Sequence, residues 1–222
     1  MSENKMNATN MEAALEETFV QKNLKKICIA VVAVLVVVFG FIGIKYYSES
    51  QSQKAAEALF PCEQQFNQGN YEKALNGDGV QVIGFAEVAK KYSMTKSGNV
   101  AKLYAGLANY KLGKMEEAEK YLADFDAKSD EMISPAAIAA LGNVYAELGQ
   151  VDKAVETLEK AAKKANSTVL SPIFLVQAGE LLESQGKFAE ALKLYEEVKA
   201  NYRGSMQGQE IDKYIERAKA AK

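Results

Sequence analysis

Histidine and tryptophan are both absent from the 222-residue chain. Histidine is the commonest general base and the commonest zinc ligand, so its absence excludes Ser-His-Asp and Cys-His catalysis and histidine-rich metal sites. The two cysteines, Cys28 and Cys62, lie far apart and form no C-x-x-C motif, which excludes a disulfide framework and a thioredoxin-type motif. We therefore expect a protein that is not an enzyme and has no metal, no cofactor and no small-molecule substrate.

The chain also lacks a surplus of positive charge. Its 27 Lys and Arg residues are balanced by 29 Asp and Glu residues, for a net charge of −2. Because neutralisation of phosphates supplies most nucleic-acid affinity, this balance argues against a nucleic-acid partner. Only 3 prolines and 15 glycines accompany 48% hydrophobic residues, a composition typical of a folded chain with a sizeable core.

One long run has no charged side chain at all, from Ile27 to Ile44. As a helix this run would extend about 27 Å at about 1.5 Å per residue, close to the thickness of a bilayer's hydrocarbon core. Tyr46 and Tyr47 follow it, where aromatic residues are typical of the membrane interface. The run predicts a transmembrane helix over residues 27–44, and the alternatives are a buried strand and a cleaved signal peptide.

The charges that flank this run predict its orientation. Lys22, Lys25 and Lys26 precede it, whereas Lys45 follows it with Glu49 close behind. The positive-inside rule then predicts a cytoplasmic tail over residues 1–26 and a single pass through the inner (cell) membrane. Residues 45–222 would face the opposite compartment, which is the periplasm in a bacterium with two membranes.

The part of the chain after this run contains a repeat that is marked by regularly spaced glycines and alanines. Pairs of glycines are spaced seven apart, and an alanine follows each pair five residues later. The pairs are Gly106 and Gly113, Gly142 and Gly149, and Gly179 and Gly186, with Ala118, Ala154 and Ala191 behind them. We expect helical hairpins in which the first glycine lies at a helix crossing and the second in a left-handed C-cap.

Two of these units open with a Ser-Pro pair, Ser134-Pro135 and Ser171-Pro172. Serine is a favoured N-cap and proline fits the first helical turn, so we expect each serine to cap the helix that follows it.

This pattern of Gly, Tyr, Gly and Ala resembles the tetratricopeptide repeat (TPR), most clearly in residues 135–167. The resemblance implies an all-α fold, in which a TPR solenoid of about four helical hairpins and a C-terminal capping helix follow the transmembrane helix. The expected units are approximately 52–92, 99–128, 135–166 and 172–205, and the expected cap is 209–221. An apolar run followed by such units is similar to membrane-anchored TPR proteins of Bacteroidetes. It also resembles the family of the ancillary SecYEG translocon subunit (YfgM-like) and the cell-division coordinator CpoB.

The first unit departs from the pattern in two ways. Cys62 stands where the other units have their first glycine, and we interpret it as a small buried residue rather than a reactive thiol. The segment NGDGVQVIG, which ends at Gly84, interrupts the unit after Leu75. We expect a turn there, since the spaced acids and terminal Glu of a calcium loop are missing.

A second short pattern occurs twice, at two places far apart in the chain. Tyr92, Thr95 and Gly98 have the same spacing as Tyr202, Ser205 and Gly208. Each set is expected to close one helix and open the next.

The resemblance also predicts where a partner protein would bind, because the first helix of each TPR unit lines the concave face. The groove candidates are Tyr104, Leu107, Tyr110, Asn143, Glu147, Gln177, Glu180 and Glu183. The alternative for Tyr104 and Tyr110 is packing against the preceding unit. Few Lys, Arg and Asn residues occupy this face, so we expect no clamp for acidic C-terminal tails.

The resemblance implies a periplasm-facing scaffold whose partners are other proteins, for the translocon case SecYEG, secreted clients or periplasmic chaperones. The alternatives are an envelope-assembly or cell-division adaptor and a self-assembling structural membrane protein. An enzyme is the least favoured interpretation, because adjacent acids such as Glu116 and Glu117 do not converge on one substrate when they lie on a helix.

Overall fold

The computed structural model describes the backbone of residues 3–128 and 133–221, and the side chains of the same ranges from residue 22 onward. The described residues form ten α-helices and no strand, which confirms the predicted all-α class. The helices are α1 (Glu3–Asn67), α2 (Tyr71–Asn76), α3 (Phe85–Lys91), α4 (Lys96–Lys111), α5 (Met115–Ala123), α6 (Ser134–Glu147), α7 (Val151–Ala165), α8 (Leu170–Ser184), α9 (Phe188–Asn201) and α10 (Met206–Ala220).

The chain divides into two units, Met1–Ser50 and Gln51–Lys222. Within Met1–Ser50 the apolar side chains of α1 are exposed on all sides of the helix. Ile29, Val37 and Phe41, for example, are each about 70% exposed. Among the described residues one helix, Lys22–Asn67, is long and apolar enough to cross a membrane, and none of its apolar window is buried. These properties are compatible with a single-pass anchor or a signal sequence. The tail predicted over residues 1–26 lies mostly outside the described side chains.

The second unit is a stack of helical hairpins. The pairs α4–α5, α6–α7 and α8–α9 are the regular hairpins, and α10 packs on α9 and α8 at the C-terminal end. Buried apolar side chains form successive clusters along the stack, one of which joins α7, α8, α9 and α10 through Leu158, Leu175, Tyr195 and Ile211.

The first glycine of each regular pair lies at a helix crossing, as the spacing predicts. A Cβ atom on Gly106 would lie 2.5 Å from Cγ of Leu122, and one on Gly142 would lie 2.9 Å from Cγ of Leu158. On Gly179 a Cβ would lie 2.7 Å from Cζ of the Tyr195 ring. Each facing side chain comes 16 residues after its glycine, so the sequence offset fixes which groups touch.

The second glycines lie just beyond their helices with positive φ angles: 73° at Gly113, 72° at Gly149 and 70° at Gly186. These are the left-handed positions that the spacing predicts, and the alanines that follow each pair are fully buried.

The predicted serine caps are wrong. Ser134 is the first residue of α6 and Ser171 is the second residue of α8, so neither serine occupies an N-cap position; at α8 the Oγ atom of Ser167 accepts from the N–H of Leu170 at 3.3 Å. The Ser171 hydroxyl instead donates to the carbonyl of Ala162 at 2.8 Å, which fastens the start of α8 to α7. Both serines are fully buried, and Ser171 acts as a link between two helices rather than as an exposed cap.

The two Tyr-x-x-Ser/Thr-x-x-Gly sets have the same structure. Thr95 accepts a hydrogen bond from the N–H of Gly98 at 3.0 Å and donates to the carbonyl of Tyr92 at 2.8 Å. Ser205 makes the equivalent bonds to Gly208 at 2.9 Å and to Tyr202 at 2.7 Å. Each set closes one helix and opens the next, as expected from the sequence.

Candidate docking groove and its neighbours

A groove of about 260 Å³ opens on the first helices of the regular hairpins. α4, α6 and α8 supply its lining, which consists of Tyr110, Asn143, Ala146, Glu147, Gln177, Glu180 and Leu181. Five of these seven residues belong to the set predicted from the sequence. Because they come from three successive hairpins, the stacking of the hairpins is what brings them together.

The groove has an apolar floor and a polar rim. Ala146, Leu181 and the ring of Tyr110 are partly buried, whereas the carboxylates of Glu147 and Glu180 are exposed. The Tyr110 hydroxyl donates to Oε1 of Glu147 at 3.5 Å, a long contact that joins α4 to α6. Partial burial raises the pKa of Tyr110, and the negative charge of Glu147 raises it further, so this hydroxyl keeps its proton at neutral pH.

Gln177 lines this groove and also has one buried side-chain atom without a partner. Its Oε1 atom is buried and has no hydrogen-bond partner among the described residues. A buried carbonyl oxygen without a partner costs about 1–3 kcal/mol, so such atoms are uncommon in folded proteins.

Three other predicted residues lie outside this groove. Tyr104 stacks on Phe85 with ring centroids 5.1 Å apart and meets the edge of Phe66 at 5.3 Å. It therefore packs against the preceding hairpin, which is the alternative that the sequence left open. Leu107 packs against a core cluster of α4, α5 and α6. Burial raises the pKa of Tyr104, with a smaller contribution from the negative charge of Glu63.

Glu183, the last of the predicted residues, forms an ion pair with Arg217. Its side chain is only 11% exposed, and the guanidinium of Arg217 also lies 5.0 Å from the ring centre of Tyr214. This pair links α8 to α10, so Glu183 helps to hold the terminal helix in place.

Sequence reasoning missed two lining residues, Ala146 and Leu181. Both are next to predicted residues on the same helices, but small or apolar side chains give no signal for a binding surface. Within residues 22–128 and 133–221, no cluster of three or more Cys, Asp or Glu side chains could hold a metal ion.

The sequence pattern of a family described as "Tetratricopeptide repeat-like domain" matches residues 17–215, most of the chain. The chain belongs to this family. No match was found among curated proteins.

Two solved structures, both from Podosopora anserina, are similar to this fold. One contains the nearly identical TPR-like repeats of a kinesin light chain candidate, with a TM-score of 0.59 and 19% identity over 77% of this chain and 87% of that one. The other is a point variant of the same repeats, with a TM-score of 0.58, 19% identity and the same coverage. At this identity the likeness shows a shared TPR-like fold alone. That fold suggests a protein–protein interaction scaffold and is typically non-enzymatic.

Proposed function

We propose that this TPR protein is a membrane-anchored scaffold that holds partner proteins at the periplasmic face of the inner membrane. The proposal rests on one observation: an open groove, lined by both polar and apolar side chains, lies on α4, α6 and α8. A groove of this kind suits an extended or helical segment of another protein.

The apolar segment of α1 supports the membrane part of the proposal. Its side chains from Ile27 to Ile44 are exposed, and burying them in hydrocarbon removes a large apolar area from water. The lysines before this segment favour a cytoplasmic N-terminus, which would put the groove on the periplasmic side.

The role we favour is that of an ancillary translocon subunit that links secreted clients to periplasmic chaperones. This choice rests on the resemblance of the anchored arrangement to that family. An adaptor for envelope assembly or cell division is the alternative, and the identity of the captured proteins separates the two roles.

Site-specific photo-crosslinking in intact membranes tests the scaffold. A photoreactive residue is placed at Asn143 or Glu180 in the groove, or at Glu190 on α9 as the control. We expect the two groove positions to capture the same defined partner and the control position to capture none of it.

Translocon components at the groove positions support the favoured role, and division or outer-membrane machinery supports the adaptor. A second copy of this chain would point to self-assembly instead. Equal capture from Glu190, or no capture from either groove position, contradicts the scaffold.

A further inference from the structure

We infer that the groove on α4, α6 and α8 selects a cationic peptide segment, one that brings a lysine or arginine between Glu147 and Glu180. This inference rests on the proposed function, because it names the chemistry of the partner that the same groove would hold. It follows from the charges and hydrogen-bonding groups that line the groove.

The formal charges in the lining are all negative. Glu147 on α6 and Glu180 on α8 both contribute carboxylates, and the other five lining residues are uncharged. No ion pair joins either carboxylate to a Lys or Arg in the part of the chain that the structure describes. The nearby acid Glu183 differs, because it is already paired with Arg217.

The balance of hydrogen-bonding groups points the same way. The two carboxylates can only accept hydrogen bonds, and the Tyr110 hydroxyl already donates to Glu147, whereas the side-chain amides of Asn143 and Gln177 can both donate and accept. A ligand rich in donors would satisfy the two carboxylates. Lysine offers three N–H donors and arginine five, whereas an acidic peptide would add further acceptors and repulsion.

The apolar floor completes the expected ligand. Ala146, Leu181 and the Tyr110 ring form a surface for the methylene stem of the basic residue or for a small apolar neighbour. The preferred segment is therefore a short extended peptide that combines a basic residue with an apolar one.

A random twelve-residue peptide library displayed on phage tests this inference on the full chain, held in nanodiscs of zwitterionic lipid so that the bilayer does not attract basic peptides. We expect selection on the wild-type protein to enrich Lys and Arg. Selected peptides should bind E147Q/E180Q about three- to tenfold more weakly, because two exposed charge pairs are lost.

Two further variants separate charge from occupancy. E196Q/E197Q on α9 removes the same charge from exposed positions outside the groove lining, and binding should be unchanged. Ala146→Trp should abolish binding of every peptide by filling the groove. Asn143→Trp is a second blocking variant in case Ala146→Trp perturbs the helices, which circular dichroism would detect.

Each outcome decides between the two proposals. Enriched peptides without Lys or Arg that are lost on Ala146→Trp overturn the cationic selectivity and leave the groove in place. Peptides that bind the wild type and both blocking variants equally overturn the groove itself, and so does a selection that enriches nothing. Equal weakening by E147Q/E180Q and E196Q/E197Q would reduce the effect to overall charge and contradict the inference.

Discussion

The first hairpin, formed by the C-terminal end of α1 together with α2 and α3, differs from the regular hairpins in how its helices pack against each other. In the regular hairpins a glycine on the first helix faces a large side chain 16 residues later, such as Leu158 opposite Gly142. In the first hairpin Cys62 takes the place of the glycine, and the residue 16 positions later is Asp78, which lies in a loop between α2 and α3. The first hairpin therefore has no equivalent of the helical side chain that faces the glycine in the regular hairpins.

The burial of Cys62 agrees with this replacement of a glycine by a cysteine. Cys62 is fully buried, and its Sγ donates to the carbonyl of Ala58 at 3.3 Å. Burial raises the pKa of the thiol, although the backbone N–H of Gly84 opposes this effect. The small residue is therefore required by the side chain opposite it, not by the hairpin as such.

The loop between α2 and α3 lies where the regular hairpins have the facing helical turn. This loop has its own network of hydrogen bonds. The Asp78 carboxylate accepts hydrogen bonds from the N–H groups of Val80, Gln81 and Val82 at 3.0, 2.9 and 2.9 Å, and pairs with Lys73 at 3.1 Å. These bonds hold the pKa of Asp78 below its usual range. The first hairpin thus replaces part of a helix by a turn whose order depends on one carboxylate.

The largest expected effect comes from moving the cysteine into a regular hairpin. Gly179→Cys would force a Cβ and an Sγ against the fully buried ring of Tyr195, and we expect a loss of about 2–4 kcal/mol in the free energy of unfolding. Denaturant unfolding under reducing conditions measures the loss. Gly204→Cys is the control, because no atom lies within 4 Å of a Cβ there. Equal stability of the two variants would contradict the account of the helix crossing.

The reverse substitution, glycine in place of Cys62, should lower the free energy of unfolding by a smaller amount. Cys62→Gly restores the repeat's glycine, but it removes a buried side chain that no neighbour replaces and adds the entropy cost of glycine in a helix. We expect a loss of about 1–3 kcal/mol, with Cys62→Ala intermediate. An increase in stability for Cys62→Gly would show that the glycine is favoured by the hairpin itself.

Removing the charge of Asp78 should loosen its loop and leave the hairpin stack folded. In Asp78→Asn, hydrogen exchange should accelerate at Val80, Gln81 and Val82, while amides in α6 and α7 keep their protection. Asp78→Glu is the conservative comparison. Unchanged hydrogen exchange in the loop would contradict a turn that is held by the Asp78 carboxylate.

The same carboxylate predicts a pH effect with a definite sign. Because the pKa of Asp78 is lower in the folded loop than in an unfolded chain, its contribution is fully present above about pH 4 and is lost as the pH falls. Hydrogen exchange of the loop, corrected for its intrinsic pH dependence, should increase below about pH 4 in the wild type. Asp78→Asn should show no such transition.

The smallest effect is expected from the exposed ion pairs that join neighbouring hairpins at equivalent places. Lys114 pairs with Glu72 between the first two hairpins, and Lys187 pairs with Asp152 between the last two. Since exposed pairs contribute little, Lys114→Ala and Lys187→Ala should both leave the Tm essentially unchanged. A marked loss in either variant would show that charge pairs, rather than the apolar core, hold the stack together.

The regular hairpins were predictable because their information is local and periodic. The offset between Gly142 and Gly149 places both a crossing and a left-handed cap, and the structure has both. The serine caps were mispredicted because a buried hydroxyl can bond to a neighbouring helix, and sequence alone does not show that Ala162 lies within reach of Ser171.

The groove was predictable in part for the same reason. Positions on the first helices follow from the repeat, so Asn143, Gln177 and Glu180 could be assigned to one face. Whether Tyr104 was free depended on Phe66 and Phe85, which approach it only in the folded stack. The pairing of Glu183 with Arg217 likewise joins residues 34 apart and follows from the packing of α10.

The most direct test of the account compares affinity purification from solubilised membranes for the wild-type protein, Ala146→Trp and a Glu190→Trp control. We predict that one defined set of partner proteins accompanies the wild type and the control and is lost from Ala146→Trp, while all three proteins have the same helical content. The same proteins in equal amounts with all three forms would contradict a docking groove on α4, α6 and α8.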